Sequence, residues 1–270
     1  MGLSDRDFIR YSRQILLPEC GEAGQVRLEQ SRIAIVGCGG LGCSVAQQLA
    51  AAGVGHISLF DGDTVELSNL PRQLAYDDRD LGQGKAQVLA AKLAHQYPGG
   101  TLSAAGAITA ENVDSALAGN ELVLDCSDNF ATRHRVNASC QRLNLPLISA
   151  AISGFEGQLL LVTPGEGPCY QCLYPEDTQS AGNCAAQGVL GPAVAVMASM
   201  QALLALQLLL GMDCNTGRLL RFNGLSLSWH DARLEPDPQC TICALRLGTS
   251  KTPDSQVIPQ GRKNHVDHSV

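Results

Sequence analysis

The stretch Arg32–Val36 (RIAIV) runs directly into Gly37-Cys38-Gly39-Gly40-Leu41-Gly42, and an apolar helical pattern continues to about Ala52. A second apolar run, His56–Phe60, ends in Asp61. Strand, glycine-rich turn, helix, strand is a βαβ unit, whose crossover is right-handed. The letters fit G-x-G-x-x-G, with the acidic residue about twenty residues on. In that pattern the glycines bring backbone close to phosphate, and the helix N-terminus faces its charge. Gly37, Gly39, Gly40 and Gly42 are thus candidate nucleotide contacts, and Asp61 a candidate acceptor for ribose hydroxyls. A tight turn without ligand would leave the same letters, and the pattern does not say which nucleotide binds.

The alternation goes on. Lys85–His95 reads as a helix, Glu121–Cys126 (ELVLDC) as a buried strand, Asn129–Leu143 as a polar-faced helix and Pro146–Ala151 as another strand. Residues 5–30 are helical by the spacing of their apolar positions. After Gly157 the style changes: Gln158–Val162 is a strand, and Leu219–Phe222 and Leu225–Trp229 flank Asn223-Gly224, a strong hairpin signal. The predicted fold is α/β: a Rossmann-like, mostly parallel sheet with helices on both faces, extended by antiparallel strands. We expect one domain over 1–248, with a nucleotide-binding half to about 155 and a second half from 156, followed by a disordered tail over 249–270.

Between the unit and the next helix lie Ser68-Asn69-Leu70-Pro71-Arg72-Gln73 and then Lys85. Hydride transfer needs no extra cations at the phosphates, whereas a triphosphate does, because charge on the transferring phosphorus and the departing pyrophosphate must be neutralised. Arg72 and Lys85 could meet that need; both could equally be surface cations. Asp128 falls just past ELVLDC, at the strand edge where open α/β sheets bind ligands, and a carboxylate beside polyphosphate suits Mg²⁺. It could also cap the following helix. Asp125, inside the strand, is placed to orient rather than ligate.

Cys169-x-x-Cys172 and Cys240-x-x-Cys243 repeat one spacing across a gap of 67 residues. Paired knuckles of this kind are a tetrahedral structural zinc pattern that fills every position of the metal; a redox C-x-x-C would not explain two. Cys184 lies in Glu176–Gly188, which has no apolar periodicity and reads as a mobile loop, so its thiol is either incidental or a nucleophile. Cys38, Cys43, Cys126 and Cys140 read as small apolar residues.

Composition narrows the setting. A formal net charge of −7 argues against nucleic acid or an anionic membrane as the main partner. The start Ser4-Asp5-Arg6-Asp7 lacks a secretory pattern, and eleven cysteines without one are expected to be reduced, in the cytoplasm. Pro192–Gly211 is as long as a membrane span but carries Ser199, Gln201 and Gln207 and no basic flank, so it reads as a core or subunit-interface helix.

The RYSRQ stretch containing Tyr11–Gln14, GCGGLG, DGDTVELSNLPRQ, Lys85, DCSDN (Asp125–Asn129) and the double C-x-x-C together resemble the ThiF/MoeB family over about residues 5–245. These adenylyltransferases activate ubiquitin-like sulfur carriers and are related to ubiquitin-activating enzymes. The resemblance implies ATP held by Gly40, Asp61, Ser68, Asn69, Arg72, Lys85, Asp128 and Asn129, with Asp128 on Mg²⁺. It implies Zn²⁺ on the four knuckle cysteines. Arg13 matches an arginine that reaches into the neighbouring subunit's site, which implies a homodimer. Cys184 matches the loop cysteine that thiamine-branch members link to the carrier's thiocarboxylate. Pro71 departs from the family, which usually has Gln there.

DRDFIRYSRQILLP, GFEGQ at Gly154–Gln158, CYQCLYPED and NCAAQGVLGP look more like the thiamine branch, although EGQ also resembles the molybdopterin branch. The implied reaction joins the carrier's C-terminal glycine carboxylate to AMP and releases pyrophosphate, before sulfur arrives from a persulfide donor. The nucleophile is already an anion, so Arg13, Arg72, Lys85 and Mg²⁺ would act by positioning and charge neutralisation. Two other classes stay open on the residues: a nicotinamide-dinucleotide oxidoreductase, and a scaffold that binds a carrier without adenylating it.

Overall fold

The computed structural model describes residues 2–176, 178 and 188–244. The Glu176–Gly188 loop with Cys184 and the tail from 249 lie outside the described residues, apart from Glu176, Thr178 and Gly188.

In place of one helical region, the N-terminal stretch forms α1 (Asp5–Arg10), α2 (Ser12–Ile15) and α3 (Gly21–Gln30). Ser4 caps α1 by accepting from the Asp7 N–H at 3.1 Å. Pro18 stands between α2 and α3, and α3 opens on the left-handed Gly21 (φ 56°). There follow β1 (Arg32–Val36), α4 (Gly40–Ala51), β2 (His56–Phe60), α5 (Lys85–Gln96), β3 (Thr101–Ala105), α6 (Val113–Leu117), β4 (Leu122–Asp125), α7 (Phe130–Leu143) and β5 (Leu147–Ser153). The second half adds β6 (Glu156–Val162), α8 (Tyr170–Leu173), α9 (Gly191–Leu209), β7 (Arg218–Asn223) and β8 (Ser228–Arg233).

The strands make one eight-stranded sheet in the order β3-β2-β1-β4-β5-β6-β7-β8, parallel from β3 to β5 and antiparallel from β5 to β8. The order reverses between β1 and β4, the crevice where open α/β sheets take ligands. Both faces of the central strands are covered. Ile33, Ile35, Leu122 and Leu124 join the core beneath α4, α5 and α9, while Ala34, Val36 and Val123 join the core beneath α6, α7 and α8.

Besides the four-residue α8, two elements are not legible in the sequence. β3 is an edge strand with four of its five residues exposed, so it shows no alternation, and α6 is too short for a helical period. The hairpin differs as well. A two-residue turn at Asn223-Gly224 would pair Phe222 with Leu225, but Asn223 pairs with Ser228 and Phe222 with Trp229. Asn223 Oδ1 accepts from the N–H groups of Leu225 (2.9 Å) and Ser226 (3.1 Å), and the Gly224 N–H donates to the Phe155 carbonyl at 2.7 Å. That tertiary bond, together with the Asx-type turn, lengthens the loop to Gly224–Leu227.

Among the described residues α9 alone is long and apolar enough to cross a membrane, with a mean hydropathy of 1.7 over its apolar window. Here it packs on α4 and lies over β5 and β6, with Val194, Met197, Ala198, Ala202, Ala205 and Leu209 in the shared core.

Candidate functional site

β1 ends where Gly37 turns with φ 91°. A Cβ there would stand 2.8 Å from the Cys126 carbonyl oxygen, so only glycine lets this turn press against the end of β4. A Cβ on Gly42 would stand 1.8 Å from the Gly37 oxygen, which fixes the third glycine by close packing. Gly40 is hemmed in by Val194 and by the Arg72 carbonyl, 2.8 and 3.2 Å from its notional Cβ. Gly39 is different: its nearest neighbour would be Gln73 Nε2 at 3.7 Å, an ordinary contact. No side chain caps α4. An open ledge over an uncapped helix N-terminus is suited to an anion.

Asp61 closes the other side. Its Oδ2 accepts from the Cys38 N–H at 2.6 Å and its Oδ1 from the Asp63 N–H at 2.7 Å. Burial raises the carboxyl's pKa above its ordinary value, partly offset by these two N–H donors and by the charge of Lys85. Lys85 is the first residue of α5 and 6% exposed; its Nζ reaches Asp63 Oδ2 at 3.1 Å. A cation so buried is not an ordinary surface lysine. Tyr76, beneath the turn, donates to the Cys38 carbonyl at 2.8 Å.

The segment after Val65 carries the remaining polar groups. Ser68 is exposed, and Asn69 is buried with its Nδ2 3.3 Å from Ser68 Oγ. Arg72 lies half-buried against Gly40, its Nη1 on the Ser68 carbonyl at 2.9 Å. Asn69 Oδ1 and Gln73 Oε1 are buried without a partner among the described residues. Unmet acceptors beside an open ledge fit a nucleotide, whose amino and hydroxyl groups could donate to them.

Past β4 the chain supports an exposed Asp128. Asp125 is itself buried and accepts from the Ser127 Oγ (2.6 Å) and N–H (3.1 Å) and from the Ser149 Oγ (2.9 Å). Arg133 donates to the Ser127 carbonyl. Asp125 therefore orients the loop, as its place in the strand suggested. The helix cap goes to the next residue: Asn129 Oδ1 accepts from the Thr132 N–H at 2.9 Å. Asp128 is thus not the α7 cap, and its only hydrogen bond among the described residues is from Asn129 Nδ2 at 3.4 Å. An exposed carboxylate of this kind suits a Mg²⁺ that keeps its waters and phosphate oxygens.

In the sequence Gln201 is only a polar interruption of the apolar helix. In the structure it is fully buried, and its Nε2 donates to the carbonyls of Asp125 (3.2 Å) and Ile148 (3.0 Å). Arg13 stands apart, exposed on α2 and without a hydrogen bond or ion pair among the described residues. Burial pushes the thiols of Cys38, Cys43, Cys126 and Cys140 above the ordinary value, in keeping with their reading as small apolar residues.

Cys169 and Cys172 meet Cys240 and Cys243. Their four sulfurs lie within 4.8 Å of one another, with Cys169–Cys240 at 3.6 Å and Cys172–Cys243 at 3.3 Å. Tetrahedral Zn–S bonds of ~2.3 Å place sulfurs about 3.8 Å apart, so the cluster fits zinc. The knuckles tie α8 to the segment after β8 and join the core on the α7 face.

The ThiF family model matches residues 11–242. The chain belongs to the ThiF family. This ThiF-family chain is 44% identical over 243 residues to the sulfur carrier protein ThiS adenylyltransferase of Escherichia coli, covering 89% of this chain and 97% of that protein. It is 40% identical to the adenylyltransferase and sulfurtransferase MOCS3 of Mus musculus, covering 93% of this chain; it spans only 56% of that relative. Among solved structures, E. coli MccB with ATP has a TM-score of 0.74 at 23% identity, covering 87% of this chain and 74% of that one, a likeness of fold alone.

Proposed function

We propose that this chain uses ATP to adenylate the C-terminal glycine carboxylate of a ubiquitin-like sulfur carrier ending in Gly-Gly. The observation that supports the reading is an uncapped α4 N-terminus with Arg72 packed against Gly40 and a buried Lys85 on Asp63, at the sheet's reversal point. The near full-length match to a ThiS adenylyltransferase favours a ThiS-like carrier of thiamine thiazole synthesis. The MOCS3 relatives keep a MoaD-like carrier of molybdopterin synthesis as the second reading.

In the proposed reaction a carboxylate oxygen attacks the α-phosphorus of ATP, a new O–P bond forms, and the α–β bridging bond breaks to release pyrophosphate. The α4 N–H groups and Arg72 hold phosphate oxygens, Lys85 neutralises developing charge and Asp61 accepts from the ribose. Ser68, Asn69 and Asn129 complete the nucleotide contacts. Mg²⁺ held at Asp128 would supply further charge neutralisation. Arg13 would complete the site of a second copy in a homodimer. The terminal sulfur of a persulfide donor would then displace AMP to give an acyl disulfide, the Cys184 thiolate would replace the donor's thiol in that disulfide, and an external thiol would reduce the adduct to the thiocarboxylate. Zinc would hold structure only. The whole of 1–248 works as one adenylation unit, in the cytoplasm, without nucleic acid or membrane.

Carrier-dependent exchange of radiolabelled pyrophosphate into ATP, measured with ThiS-like and MoaD-like carriers, tests the reading. Exchange with the ThiS-like carrier alone is expected. Exchange with neither would refute adenylation, and a nicotinamide-dependent absorbance change would replace it with a redox role.

A further inference from the structure

In the turn Leu67–Gln73 backbone N–H groups donate three residues back, except at Gln73, whose N–H reaches the Asn69 carbonyl at 3.0 Å, and at one residue that has no N–H. The Leu70 N–H donates to the Leu67 carbonyl at 3.3 Å, and the Arg72 N–H to the Asn69 carbonyl at 3.1 Å. Between them stands Pro71, which has no N–H, so the Ser68 carbonyl is passed over by the backbone. Arg72's own guanidinium takes that oxygen, with Nη1 at 2.9 Å.

The backbone here has little room to offer Arg72 a different acceptor. A Cβ on Gly191, at the start of α9, would stand 2.6 Å from the Pro71 carbonyl oxygen. On the other side, a Cβ on Gly40 would stand 3.2 Å from the Arg72 carbonyl oxygen. Residues 71 and 72 are wedged between α9 and the glycine-rich turn, and both neighbours are glycines that permit the approach.

We propose that Pro71 is a positioning residue for Arg72: by lacking an N–H it leaves the Ser68 carbonyl to the guanidinium, which is thereby held on that oxygen before nucleotide arrives. A backbone N–H at 71 would claim the Ser68 oxygen, as Leu70 and Arg72 claim those of Leu67 and Asn69. The guanidinium would then be free to sample rotamers, and ordering it would fall to the binding step. The consequence for catalysis rests on the adenylation reading; the hydrogen-bond exchange does not.

The experiment compares the full-length wild type, Pro71→Ala, and a Pro71 variant carrying lactic acid at 71, whose backbone ester has neither ring nor N–H. Two quantities are read: the ¹⁵Nε order parameter of Arg72 without nucleotide, and KM for ATP against kcat in carrier-dependent exchange. Pro71→Ala should loosen Arg72 and raise KM for ATP about three- to tenfold with kcat little changed, the cost of immobilising one long side chain. The ester should keep wild-type order and KM. An alanine variant with Arg72 as ordered as in the wild type would overturn the proposal. So would an ester that loosens Arg72 as alanine does, since ring stiffness would then be the cause. If no protein, wild type included, exchanges pyrophosphate, the adenylation reading fails and the Nε measurement still decides the role of Pro71.

Discussion

Asp61 Oδ2 accepts from the Cys38 N–H at 2.6 Å, joining the end of β2 to the middle of the glycine-rich turn that follows β1. Burial raises this carboxyl's pKa, with the N–H donors and Lys85 pulling the other way. A raised pKa means that Asp61 protonates at a higher pH than an ordinary aspartate, whose value is about 3.9. Its ionised form is the one that binds the turn and would accept from ribose. ATP affinity should therefore fall on acidification with a midpoint above that ordinary value, and titration calorimetry across a pH series reads it. The stability term has the opposite sign: it is present below the unfolded value and lost as pH rises through the folded one. Asp61→Asn should bind ATP weakly at every pH and flatten the profile; an unchanged profile would remove Asp61 from the nucleotide site.

Arg72→Ala and Asp128→Ala should each lower carrier-dependent exchange on the order of a hundredfold or more, with the fold intact by circular dichroism. Each removes a charge placed at the polyphosphate edge, and one such group stabilises a transition state by roughly 3 kcal/mol. Near-normal exchange in either variant would refute its assignment.

The four-sulfur cluster predicts about one zinc per chain by elemental analysis of reduced protein. Cys240→Ser should lower both metal content and Tm, because the clip joins α8 to the segment after β8. Reduced protein free of zinc would exclude the site.

Gln201→Met, close in volume, should destabilise the fold by roughly 2 kcal/mol in urea unfolding. It leaves the carbonyls of Asp125 and Ile148 without the side-chain amide that both accept from. Because Asp125 also orients the loop to Asp128, exchange should fall as well. A variant as stable as the wild type would show that the backbone closes without the amide.

Cys184→Ser separates the two chemical steps. Adenylation needs a carboxylate, ATP, Mg²⁺ and cations, but no thiol. The variant should keep exchange within a few-fold while losing any carrier–enzyme adduct that reductant releases. Loss of exchange in the folded variant would place Cys184 in the first step instead.

Several parts of the site are legible in the chain because their causes are local. A run of small and β-branched residues meeting Gly37 makes the β1 turn wherever it occurs, and Cys169/Cys172 with Cys240/Cys243 carry their chemistry in their spacing. Family motifs pointed to Arg72, Lys85 and Asp128. The cap at Asn129 rather than Asp128, and the four-residue loop Gly224–Leu227 in place of a two-residue turn, were settled by hydrogen bonds of a kind that local propensity does not rank.

By itself the sequence determined the βαβ unit, the alternation that builds a parallel sheet, the metal-type knuckles and the acidic balance, since each depends on residue type at short spacing. Only the tertiary structure decided that Lys85 is buried against Asp63, that Gln201 joins α9 to β4 and β5, and that Gly39 is the one glycine of the turn without a close neighbour. Those facts depend on which distant backbone groups come to share a volume. Arg72 shows the division most simply. Its place after Pro71 is written in the chain, whereas its setting between Gly40 and Gly191 exists because two distant elements close on the same turn.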